Sequence, residues 1–372
     1  MLRVGVSHLK NTILLALAGG ISCSPLPPAS VEPRTISQEI AIRLGEEFDS
    51  LRTGARIPGF AAVILQDTTV LLARGYGYAD VEQLIPATVE TPFNIASVAK
   101  PISAVAMLKL VEQGNLDLDV RMTSFAEFAE FCAAARENGG IFYSDLECDA
   151  LTFRHVVSMS ANGVPGTRFF YNPPLFSWSS RPVAEVAGVS FSDLIDQVVF
   201  QPAGMSASAR KHRRLPLRSD LAASLATPYH IDSAGALTKS DQPGPQGDGA
   251  AGGVVSTAMD LAKFDIALTR GTLVNAKSRD VMWTAGRSPS GQVLPYGIGW
   301  FVTEHGGEPA VWHTGLWEGA YSALYIKFPS RRLTLILLAN SDGLSWKTGL
   351  DEAALERSPF ARAFMAAFQI RH

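Results

Sequence analysis

Apolar residues recur along this chain with two different periods, and the places where the period changes divide it. Helical spacing begins near Gln38, with Ile40, Leu44, Phe48 and Leu51 on one face. Strand-like runs follow from Gly59 to Gln66 and from Thr69 to Gly77. Ile102, Val105, Leu108 and Val111 then return to helical spacing, and Gly114 stops that helix. A further helix runs from Ala258 to Leu268, with Ser256 or Thr257 as its cap. Strand-like runs reappear only after Tyr296, at 320–326 and 333–340, separated by a turn at Pro329 to Arg332. A sheet must therefore be assembled from both chain ends, about 35–96 and 285–370. The mostly helical stretch of about 97–284 forms a second lobe of one domain spanning 35–370. No internal repeat is present.

Composition narrows the function classes. The 372 residues are 47% hydrophobic and 18% charged, with a formal net charge of −3. This is enough apolar material for a large core and a poor charge balance for a nucleic-acid partner. The one basic cluster, Arg210 to Arg218, reads as a solvated loop. Residues 1–34 read as an export signal and a proline-rich tether. Arg3 and Lys10 flank the start of the apolar run Ile13-Leu14-Leu15-Ala16-Leu17-Ala18, and Cys23 precedes Ser24-Pro25-Leu26-Pro27-Pro28. Cys23 after small residues resembles the lipidation site of a bacterial lipoprotein, although Gly20 stands where leucine is usual. Cleavage after Ala18 is the alternative. The expected location is the periplasm, soluble or anchored to the membrane through Cys23. Cys132 and Cys148 are then an even pair in an oxidising compartment, where a disulfide is expected.

Several chemistries lack their motifs. There is no His-Glu-x-x-His, no paired Cys-x-x-Cys and no Gly-x-Ser-x-Gly, so neither metal nor cofactor is expected. Gly247-Asp248-Gly249-Ala250-Ala251-Gly252 fits a dinucleotide fingerprint, but Gln242-Pro243-Gly244-Pro245 precedes it where a strand is required, so it reads as a flexible loop. What remains is Ser97 with Lys100. Three residues on a helix return an amine to a hydroxyl, and a serine needs such a base to attack. Ser7/Lys10 and Ser208/Lys211 share the spacing. The former lies in the signal and the latter in the basic, proline-broken loop, whereas Ser97 alone opens an apolar helix.

From Ile57 to Asn340 the ordered segments resemble the serine beta-lactamase and penicillin-binding superfamily, in particular its class C-like branch of esterases, peptidases and lactamases. They are Phe93-Asn94-Ile95-Ala96-Ser97-Val98-Ala99-Lys100, Leu110-Val111-Glu112-Gln113-Gly114-Asn115-Leu116-Asp117-Leu118, Pro165-Gly166-Thr167-Arg168-Phe169-Phe170-Tyr171, Gly252-Gly253-Val254-Val255-Ser256-Thr257, Tyr296-Gly297-Ile298-Gly299-Trp300 and His313-Thr314-Gly315. The resemblance implies an α/β (α+β) fold, with an antiparallel sheet flanked by helices. It implies Ser97 as acylated nucleophile, Lys100 as the amine beside it, and Tyr171 as a second base whose phenol pKa is lowered by the lysine cation. Tyr143-Ser144-Asp145 competes with Tyr171-Asn172-Pro173 for that role, and the flanking residues favour Tyr171. His313, Thr314 and Gly315 are expected to line the substrate site on a strand edge. Lys347-Thr348-Gly349, beyond the last strand, is read as a coincidental copy. The backbone N–H groups of Ser97 and Leu316 are expected to form the oxyanion hole. Where the family has an asparagine two places after the tyrosine, this chain has Pro173, and Asn172 is expected to substitute for it.

Two readings result. One is an exported serine hydrolase making an acyl-enzyme on esters, beta-lactams or D-alanyl peptides, its substrate a small molecule or a peptidoglycan-type polymer. The other is a cell-wall binding or sensing protein on the same fold, its chemistry blunted by Pro173. Neither involves nucleic acid, and both leave the oligomeric state open.

Overall fold

The computed structural model describes residues 35–371, apart from 233, 235, 245, 346 and 347. The signal segment, Cys23, Ser7/Lys10 and Lys347 lie outside the described residues. The first helix, α1 (Ile36–Gly54), opens with a capping box. Thr35 Oγ1 accepts from Gln38 N–H at 3.2 Å and Gln38 Oε1 accepts from Thr35 N–H at 2.7 Å. Its apolar face, Leu44 and Phe48, is buried.

Seven strands make the main sheet: β1 (Gly59–Gln66), β2 (Thr69–Asp80), β3 (Ile85–Pro86), β4 (Phe301–His305), β5 (Glu308–Trp317), β6 (Tyr321–Phe328) and β7 (Leu333–Ala339). Their order is β4-β5-β6-β7-β1-β2-β3, and each neighbouring pair is antiparallel. The two chain ends meet in the centre, where Val63 of β1 lies opposite Ile336 of β7. Both β6 and β7 are buried along their whole length. Their mostly apolar runs, interrupted by the buried Ser322, Lys327 and Thr334, follow from helices covering both faces, which removes the polar alternation of a half-exposed strand. On one face α1 packs with the C-terminal helix Pro359–Ala367, and the rings of Phe48, Phe60 and Phe360 interlock at 5.6 to 6.4 Å. On the other lies Ala258–Arg270, capped by Thr257 and set edge-on through Phe264 against Tyr325.

The middle of the chain departs from expectation. It is not free of strands: Phe93–Asn94 and Ala209–Arg210 pair on either side of Val254–Ser256 in a small second sheet. Strands of two or three residues carry too few positions for a period to be read from sequence. The helix α2 (Ala99–Glu112) runs through this lobe, preceded by a 3-10 turn at Ala96–Val98 that holds Ser97. Nearly every α2 position is buried, Lys100 among them.

Cys132 and Cys148 are disulfide-bonded, with Cα atoms 6.0 Å apart, and tie the helix Phe128–Asn138 to the following loop. Closing 16 residues of chain is expected to contribute roughly 3 kcal/mol through the unfolded state. Denaturant titration with and without reductant is expected to show a loss of about that size, and non-reduced peptide mapping should recover the Cys132–Cys148 pair intact.

Candidate active site

Ser97 owes its position to a strained turn. Ala96 adopts a left-handed backbone, φ 46°, a conformation disfavoured for residues with a Cβ. Asn94 steadies it by accepting the Ala96 N–H on Oδ1 at 3.0 Å. The strand pairing Phe93 with Ser256 feeds this turn, and α2 continues from it. Lys100 Nζ then lies 2.6 Å from Ser97 Oγ, 3.0 Å from Tyr171 OH and 3.3 Å from the carbonyl of Ala251. The rings of Tyr171 and Phe176 cover the amine at 5.1 and 5.7 Å.

Burial dominates the electrostatics of this cluster. It holds the Lys100 amine well below its usual range and pushes the Tyr171 phenol up, a push only partly offset by the hydrogen bond to Ser97. The sequence-based expectation of a phenol lowered by a lysine cation is therefore corrected. Removing water disfavours both charged forms, the ammonium and the phenolate alike.

The strand edge comes next. In β5, Gly315 passes so close to the nucleophile turn that a Cβ there would lie 2.3 Å from the carbonyl oxygen of Ile95. Only glycine allows the edge to abut the residue two before Ser97. Thr314 and Leu316 flank it, Leu316 partly exposed and Thr314 bonded through Oγ1 to Ser345 Oγ at 2.8 Å. His313 lies beside Tyr171, ring centroids 6.1 Å apart. It is fully buried, with Nδ1 2.6 Å from the Thr314 carbonyl and Nε2 2.8 Å from Tyr296 OH. Because a carbonyl only accepts, Nδ1 carries the proton and Nε2 accepts from the tyrosine. Burial holds this imidazole well below its usual pKa, so it stays neutral.

Other candidate residues are placed elsewhere. Asn172 does not reach Lys100. Its Oδ1 caps the helix Pro173–Trp178 by accepting Leu175 N–H at 3.0 Å, and its Nδ2 donates to Phe142 O and Asn162 Oδ1. The cap exists because Pro173 and Pro174 start a helix that leaves Asn172 as its flanking residue. Tyr143 packs edge-on against Phe131 at 5.8 Å, and Asp145 pairs with Arg168. Ser208 is buried between Ser256 and Asp260, 2.8 Å from each. Thr348 of the second Lys-Thr-Gly copy donates to Ser345 O.

Three contributors escaped sequence reasoning. Tyr296 belongs to one of the resembling segments, but nothing in that segment assigns it a role. Ala251 acts through its backbone, which no side-chain pattern reveals. Arg210 belongs to the supposedly solvated basic run, yet its side chain is 2% exposed and bonds Asp248 Oδ1, Gly249 O and Gly252 O at 2.8 to 2.9 Å. The loop 248–252 is thus held over the amine rather than flexible. Ser103 adds a bond to Ala250 O at 2.7 Å.

This geometry accords with the comparisons. The family described as Beta-lactamase matches residues 44–356, and the chain belongs to it. Penicillin-binding protein 4* of Bacillus subtilis (strain 168) is 25% identical over 304 residues, which cover 73% of this chain and 66% of that protein. Esterase EstB of Burkholderia gladioli is 27% identical over 266 residues, covering 60% and 64%. The chain thus spans somewhat under two thirds of these relatives' length. D-amino acid amidase from Ochrobactrum anthropi SV3 superposes with a TM-score of 0.69 at 19% identity, over 88% of this chain and 99% of the other, a likeness of fold.

Replacing Gly315 with alanine is expected to destabilise the protein by about 1–3 kcal/mol, because backbone must move on one side or the other. Gly54→Ala, with nothing within 4 Å of the added carbon, should be neutral or slightly stabilising. Denaturant midpoints of the two variants provide the measurement.

Proposed function

We propose that this protein is a serine hydrolase that works through an acyl-enzyme on small carbonyl substrates, with esters preferred. The observation that carries the reading is the buried Lys100 amine, 2.6 Å from Ser97 Oγ and 3.0 Å from Tyr171 OH. A neutral amine takes the Ser97 proton as Oγ attacks the carbonyl carbon. The Tyr171 phenol gives its proton to the leaving oxygen and is reprotonated from the Lys100 ammonium, so the cluster ends neutral. Water then attacks the acyl-enzyme by the same route in reverse, returning the proton to Ser97. The N–H groups of Ser97 and Leu316 are the oxyanion donors in this reading.

Substrate preference follows from two side chains. Asn172 is committed to its helix cap and Pro173 has no donor, so an amide oxygen or nitrogen loses an orienting partner. His313 is buried and neutral, so it presents no cation to a substrate carboxylate. Relatives named penicillin-binding protein and esterase bracket the range, and these two features favour the esterase end. Export to the periplasm, with or without a lipid on Cys23, accords with the Cys132–Cys148 disulfide.

An activity-based fluorophosphonate probe is expected to label the wild type and Ser208→Ala but not Ser97→Ala, and a merely binding protein would not label at all. Lys100→Arg is expected to lose at least about a hundredfold in kcat/KM, since a guanidinium cannot give up its proton. The sign of the pH dependence follows: kcat/KM should fall as pH drops through the Lys100 pKa, which burial has brought well below 10.5. A pH profile flat through that range would contradict a lysine base.

Short-chain p-nitrophenyl esters are expected to be cleaved with higher kcat/KM than cephalosporins, which carry a carboxylate. Steady-state kinetics on both substrates test this, and a cephalosporin preference would show that Asn172 and His313 do not set specificity.

A further inference from the structure

A cavity of about 690 Å³ is walled on one side by Tyr296, Gly297 and Ile298, part of the turn that Gly299 seats against the Lys100 backbone. Ser97, Lys100, Tyr171 and His313 do not line it. Its other walls come from the helix Phe153–Val157 with the loop after it, and from the helix Ala276–Met282 with the short hairpin pairing Gly286 with Leu294. The volume is that of a small-molecule site. The chemistry at Ser97 gives it no task.

The polar groups around this cavity are mostly donors. Thr152 N–H lies 3.2 Å from His155 Nδ1, and an amide N–H only donates, so Nδ1 accepts. Burial keeps the ring below its usual pKa, which leaves the single ring proton on Nε2. That N–H points toward Gly166, another lining residue, where an added Cβ would lie 3.1 Å from Nε2. Ser158 and the buried Ser160 share one hydrogen bond at 3.0 Å, so one of their two hydroxyl hydrogens is left to donate. Lys277 and Arg287 are exposed, and among the described residues neither has an ion-pair partner. Arg154 also lines the cavity, but its guanidinium is spent on Asp119 through bonds of 2.6 and 2.7 Å. Against these cations the lining holds one carboxylate, Asp280, so a single positive charge is left over. Val281, Leu294 and Ile298 supply an apolar wall.

We propose that this cavity is a second binding site, separate from Ser97, for a monoanionic carboxylate that carries an apolar chain. The carboxylate answers the one unmatched positive charge and accepts from the donors, and its planar oxygens suit a guanidinium such as that of Arg287. The chain covers the apolar wall. A neutral molecule would leave the charge unmatched, and a bare anion would leave the wall in water. The site takes no part in proton transfer at Ser97, so it stands or falls independently of the acyl-enzyme reading.

Calorimetric titration of the full-length protein with octanoate, 1-octanol and acetate forms the test. Octanoate should bind saturably, and the uncharged alcohol and the chainless anion should each bind at least about tenfold more weakly. Lys277→Gln and Arg287→Gln should each weaken octanoate by about fivefold, the effect of one charge at a protein surface. Ala285→Trp, which fills the cavity, should abolish octanoate binding. Arg136→Gln, which removes an exposed cation outside the lining, should change nothing. Both glutamine variants alter exposed side chains, so the outcome does not depend on how well Ala285→Trp folds. Octanoate binding unmoved in Lys277→Gln and Arg287→Gln would place the ligand elsewhere, the Ser97 cleft included, and overturn the inference. So would 1-octanol or acetate binding as tightly as octanoate, or no saturable octanoate binding up to about 10 mM.

Discussion

A lysine amine taken wholly out of water is the constraint around which the rest of this structure is arranged. Lys100 is completely buried, and a charged ammonium there would lack both solvent and a carboxylate partner. The molecule answers with an amine pKa well below the usual range and with three polar neighbours, Ser97, Tyr171 and the Ala251 carbonyl. Each neighbour needs its own support. Ser97 depends on the left-handed turn at Ala96 that Asn94 steadies, and Ala251 on a loop braced by Arg210, Asp248 and Ser103. From behind, Gly299 lies so near the Lys100 carbonyl that a Cβ would sit 2.8 Å from it, which seats the Tyr296–Trp300 turn on α2.

The sheet edge meets this amine on its open side, and its chemistry is equally desolvated. His313 is expected from its sequence position to line the substrate site, and its imidazole is buried and tied by Tyr296 and Thr314. Its service is to hold β5 in register against the nucleophile turn while Gly315 makes the contact. Tyr296, Phe301, Tyr171 and His313 pack ring against ring at 4.9 to 6.4 Å, so Tyr171 is held by apolar contact as well as by its hydroxyl.

Two stretches that look soluble in sequence prove to be structural. Arg210 reads as one of several surface cations, yet its guanidinium is buried over Phe191 at 5.0 Å and knits Asp248 to the loop carbonyls. Asn172 reads as a ligand for the lysine and is instead a helix cap. In both cases a side chain with several hydrogen-bonding atoms is recruited by unsatisfied backbone groups nearby, a demand that composition and spacing do not display.

Local spacing alone determines much here. The three-residue interval makes Ser97 and Lys100 neighbours on any helix, the apolar period of 102–111 makes that helix, and the mostly apolar runs at 320–326 and 333–340 make buried central strands. These depend on periods of a few residues, which the chain carries in itself. The flanks of Tyr171 favour it over Tyr143 only through a resemblance; what brings it to the amine, 71 residues away, is the tertiary path of the intervening loops. Tertiary structure also decides the protonation of the cluster. A pKa reflects how much water the fold removes, and Lys100, Tyr171 and His313 lose theirs only when strand edge, helix and loop close over them together.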